Sequence, residues 1–96
     1  MRHKHGEPAG GYGKALREAR CRLRAAWNRV VAERQRTSEH DTDTIGAKMD
    51  LYWAECRMSE IAAGALYHGH AAIASKAATT WARSVVKPRP PLGVKE

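Results

Sequence analysis

Arginines in the first third of the chain are the side chains whose type and spacing best suit chemistry. Arg17, Arg20 and Arg24 recur at helical spacing, and Arg22, Arg29 and Arg36 recur in seven-residue steps. On a helix of about 3.6 residues per turn these two rows border one apolar stripe from opposite sides. Lys14, Cys21, Ala25, Asn28 and Ala32 lie between them on the outer face. A guanidinium is a planar fork of donors matched to phosphate or carboxylate. Small residues flanked by two cationic rows let a duplex or strand approach while both rows reach phosphates. The six arginines are therefore the expected contact residues for nucleic acid or for an acidic protein surface. The plainer alternative is a solvated face whose arginine stems cover the edge of the core, with Glu18 and Glu33 as pairing partners. No docking motif for base readout accompanies them.

Other reactive side chains point to little. Cys21 and Cys56 carry no nucleophile signature, and no paired carboxylates fall where a pocket would form. Gly10-Gly11-Tyr12-Gly13 lacks the Lys-Ser/Thr ending and the preceding strand of a phosphate loop. The histidines come as His3/His5 and His68/His70. Positions i and i+2 diverge on a helix, so His68 and His70 share an ion only from a turn, and no acid or thiol stands at a zinc spacing. A third-position His such as His3 fits square-planar Cu(II) or Ni(II) incidentally. His40-Asp41-Thr42-Asp43 reads as helix capping rather than cation binding. The expectation is a non-enzyme with no cofactor and no metal. Lys87-Pro88-Arg89-Pro90-Pro91-Leu92 resembles a short basic polyproline ligand, a run common in loose tails.

Composition sets the class of scaffold. The chain has 96 residues, 17 Lys/Arg against 10 Asp/Glu, and a formal charge of +7. Alanine supplies 17 positions, while Leu, Ile and Val together supply 13, and Phe is absent. That poverty in branched residues argues against a β-sandwich or barrel and for closely packed helices. Residues 1–36 carry a net +7, residues 37–69 a net −4, and residues 70–96 a net +4. No apolar run approaches the ~18–20 residues that cross a bilayer, and the N-terminus lacks a signal-peptide core. A cytoplasmic site is expected, the host's if the chain is phage-encoded, with no membrane partner. Two cysteines are too few for a disulfide framework, and one bridge between them is not required.

These features predict an all-α, three-helix bundle with helices at about 13–37, 43–68 and 71–87. The single domain spans 12–87, between a flexible tail at 1–11 and a Pro-rich one at 88–96. In the first helix Tyr12, Leu16, Ala19, Leu23, Ala26 and Val30 share a face, widened by Trp27 and Val31. The second helix has two apolar stripes. Ile45, Met49, Tyr52, Trp53, Cys56, Ala63 and Tyr67 form one; Ala47, Leu51, Ala54, Met58, Ile61 and Ala65 lie nearly opposite. Such a helix must be covered on two sides, by its own neighbours or by a second copy. Leu51, Ala54, Met58, Ile61 and Ala65 are the expected oligomer or partner interface. Ile73, Ala74, Ala77, Ala78, Trp81 and Val85 face inward on the third helix, and Pro88 stops it. Gly69 is the expected left-handed cap. If it only kinks the chain, the architecture becomes a hairpin with one long bent helix that dimerises into a bundle. One tryptophan per helix, Trp27, Trp53 and Trp81, is expected to fill the core.

The favoured function is binding of nucleic acid through the first helix. Competing readings are a protein-binding accessory or inhibitor of the kind phages and mobile elements encode, and a structural subunit of a larger assembly. The second helix is the preferred dimer element, because pairing the first with itself would juxtapose like charges.

Overall fold

The computed structural model describes residues 7–36 and 42–88, with backbone alone for residues 35, 36, 42 and 43. It is all helix: α1 Gly11–Arg36, α2 Thr42–Tyr67 and α3 Ala71–Val86. Most of the link expected between the first two helices, at about 38–42, the pair His3/His5 and most of the polyproline run fall outside the described residues. Among the described residues no helix is long and apolar enough to cross a membrane.

Each boundary follows from local chemistry. Pro8 accepts from the amide of Gly11 at 2.8 Å, and Gly10 and Gly11 both take positive φ at the entry to α1. Gly69, at φ +83°, closes α2. Its N–H donates to the Leu66 carbonyl at 3.1 Å, and the His70 N–H donates to the Ala65 carbonyl at 2.7 Å. These are the two bonds of a Schellman cap, which uses a left-handed residue to satisfy the last carbonyls of a helix. The cap reverses the chain rather than kinking it, since Ser84 near the end of α3 reaches Glu55 in the middle of α2. At the far end the Lys87 N–H donates to Arg83 and Ser84 carbonyls, and Pro88 follows.

α2 is the central helix. α1 and α3 both pack along it, antiparallel to it, and barely touch one another. The α1 stripe is buried from Tyr12 to Val30 as its periodicity predicts; Val31, at its edge, is exposed. On α2 the expectation for the second stripe is corrected. Leu51, Ala54, Met58, Ile61 and Ala65 are at most 2% exposed, so they form the intramolecular core and are not an interface. The stripe left open is the opposite one, with Ile45, Met49, Tyr52, Trp53 and Tyr67 all exposed. The reason is steric. Ala47, Ala54 and Ala65 are interspersed among Leu51, Met58 and Ile61, and this mixture of small and large residues lets two helices approach together. A face of Tyr and Trp would hold them apart.

The tryptophans need a matching correction. Trp27 is in the core at 8% exposure, but Trp53 is 53% and Trp81 37% exposed. Small side chains on both partners, such as Ala74 and Ala77 of α3, do much of the filling. Gly64 shows how close the helices lie. The Tyr12 ring rests on its α-carbon, such that a Cβ there would stand 2.5 Å from the Tyr12 hydroxyl.

Candidate functional site: a basic groove between the outer helices

Because α1 and α3 run side by side over α2 without closing on each other, an open groove of about 340 Å³ separates them. Its floor is Leu23 and Trp27. Its α1 wall carries Arg20, Arg24 and Asn28, and its α3 wall carries Thr80 and Lys87. Arg17 stands one turn before Arg20 on the α1 wall. Lys76 and Arg83 stand one turn either side of Thr80 on α3, since residues three and four apart share a helix face. All six cations are exposed. α3 contains no Asp or Glu, and Glu18 of α1 sits off the groove against Lys14 at 3.9 Å.

A buried relay braces the floor of the groove. The Trp27 indole N–H donates to Ser84 Oγ at 2.8 Å, and the Ser84 hydroxyl donates to Glu55 Oε2 at 2.5 Å. Three helices are thereby tied through three polar side chains, all less than a tenth exposed. The Lys87 ammonium lies 4.6 Å from the centre of the Trp27 ring, where the electron-rich face attracts a cation. This orders one wall of the groove against the other.

The two arginine rows part company. Arg17, Arg20 and Arg24 face the groove side of α1, and among the described residues none of them makes an ion pair. Arg22 and Arg29 are exposed on the far flank. Arg29 crosses to α2, over Gly46, and pairs with Asp50. Arg36 ends α1 and its side chain lies outside the described residues. Sequence reasoning missed Lys76, Arg83 and Lys87. Their recurrence at 76, 83 and 87, with no acid between them, was the available signal.

Among the described residues the other reactive groups form no second site. Cys21 and Cys56 are free, on the outer faces of two different helices. The Tyr52 hydroxyl is pushed above its ordinary value of 10.0 by its hydrogen bond with Cys56 and by that thiol's charge. His68 and His70 straddle the Gly69 turn, and Glu7 comes back to them at 3.9 Å and 3.3 Å. The Tyr12 ring packs 5.8 Å from each imidazole. Among the described residues no group of His, Cys, Asp and Glu has the arrangement of a metal site.

Neither a family model, nor a curated protein, nor a solved structure matches this chain.

Proposed function

We propose that this protein binds nucleic acid through the groove between α1 and α3. The observation that supports the reading is that Arg20 and Arg24 of α1 and Lys87 of α3 line one open channel, with Arg17, Lys76 and Arg83 continuing the same two flanks at one-turn spacing. An arginine-rich surface helix alone would be ordinary. A second helix that contributes cations and no anions to the same channel concentrates positive potential along a line, which suits a polyanionic backbone. Asn28 adds a neutral donor for phosphate oxygens. No base-reading element enters the argument, so the binding is to the backbone and sequence-tolerant.

Fluorescence anisotropy with a labelled duplex tests it. Affinity should fall with salt by about 0.9 log units per log unit of salt for each phosphate neutralised. The double variant Arg20→Ala/Arg24→Ala should weaken binding roughly tenfold or more and flatten that slope, whereas Arg22→Ala on the far flank should leave both unchanged. Binding indifferent to salt, or equally sensitive to Arg22, would reject the groove.

A further inference from the structure

Among the described residues no helix packs over the outer face of α2. Ile45, Tyr52, Ser59 and Leu66 recur every seven residues, and Met49, Cys56 and Ala63 recur every seven residues between them. This is an a/d seam of the kind that pairs helices, and none of its positions is charged. Trp53 and Tyr67 border it, and Trp81 and Val85 of α3 continue it sideways; the large apolar side chains of this surface are 37–68% exposed. At ~150–250 Å² for a fully exposed large side chain, the patch presents on the order of 800 Å², what each partner contributes to a stable dimer. Monomers rarely leave a continuous apolar patch of that size open.

The seam is also graded. Its first half is bulky, with Ile45, Met49, Tyr52 and Trp53; beyond it Ser59, Ala62 and Ala63 leave a hollow before Leu66 and Tyr67 close the far end. Beside that hollow runs an apolar groove of about 480 Å³ between α2 and α3, lined by Ala63, Leu66, Ala78 and Trp81 among others. The bulk of one half matches the hollow of the other only when two copies run in opposite directions. We infer that the protein is an antiparallel two-fold homodimer in which Tyr52 and Trp53 of each α2 seat against the Ser59–Ala63 hollow of the other copy's. An isologous contact of this form uses one patch twice and closes on itself. It leaves the basic groove uncovered, because Thr80 and Lys87 lie on the other side of α3 from Trp81 and Val85. The inference does not depend on what that groove binds.

Sedimentation of the purified chain, from about 1 to 100 μM, should show twice the chain mass. Trp53→Lys, at an exposed position, should give a monomer with unchanged helical circular dichroism. The direction of pairing is read with cysteines. In a Cys21→Ser/Cys56→Ser background, a mixture of Met49→Cys and Leu66→Cys chains should cross-link with a short bismaleimide, and neither chain alone should. In the antiparallel pair each of these positions lies roughly 25 Å from its own copy, at about 1.5 Å per residue. A monomer at 100 μM, or a dimer untouched by Trp53→Lys, would overturn the inference, whatever else the face then engages. Cross-linking of Met49→Cys chains with themselves would establish parallel pairing and overturn it equally.

Discussion

The indole N–H of Trp27 donates to the hydroxyl of Ser84 across 57 positions of sequence, at 2.8 Å. This bond joins the two helices that otherwise barely meet, and it does so at the floor of the basic groove. Through Ser84 it continues to Glu55 on the central helix, so a single hydroxyl ties the relative positions of all three.

Ser84→Ala removes both bonds together. A neutral buried hydrogen bond contributes about 1 kcal/mol and one to a carboxyl group somewhat more, so a loss of about 2 kcal/mol is expected. Thermal unfolding should read this as a drop of roughly 10 °C, at ~4–8 °C per kcal/mol for a domain of this size. Ser84→Thr retains the hydroxyl and should recover part of it. A shift within about 1 °C for Ser84→Ala would show that the relay contributes little.

Gly64→Ala should destabilise, although glycine to alanine inside a helix ordinarily gains ~1 kcal/mol. The added Cβ would sit 2.5 Å from the Tyr12 hydroxyl and 3.1 Å from two of its ring carbons. Tyr12 is buried against α2 and flanked by His68 and His70, so relieving the overlap must move a packed ring. Overpacking of this kind costs about 1–3 kcal/mol, and a net loss of about 1 kcal/mol is expected in urea unfolding. In a double-mutant cycle, Tyr12→Phe should soften that loss by removing the nearest atom.

The two stripes of α2 should respond oppositely to truncation. Met58→Ala empties a fully buried position and should cost about 2–5 kcal/mol. Tyr67→Ala acts on a side chain 68% exposed. It should shift stability by no more than about 0.5 kcal/mol, when measured at sub-micromolar concentration where association does not add to stability.

The α3 wall of the groove should matter as much as the α1 wall. Lys76→Ala/Arg83→Ala removes two exposed cations, so melting should be unchanged within about 0.5 kcal/mol. The salt slope of duplex binding should flatten by about 2, one for each phosphate contact removed. An unchanged slope would confine the contact to α1.

Local chemistry carried the helices themselves. The α1 stripe, Gly69 as cap and Pro88 as stop each act over a few residues, and the observed elements lie within two residues of the boundaries they imply. The arginine rows were legible for the same reason, since periodicity alone places them on flanks of one helix.

Tertiary structure decided which flank borders the groove and which stripe is inside. The two apolar stripes of α2 are alike in hydrophobicity. Burial was settled by steric fit, because only the alanine-interrupted stripe lets α1 and α3 come close together. That choice exposed Trp53 and Trp81 against expectation and left an apolar seam open. It also set α1 and α3 side by side, which brought Lys87 to the same groove as Arg20 and Arg24, and turned Arg29 away toward Asp50. No periodicity within one helix encodes its neighbour, so the amino-acid sequence determined the helices and their faces, and packing alone determined which faces meet.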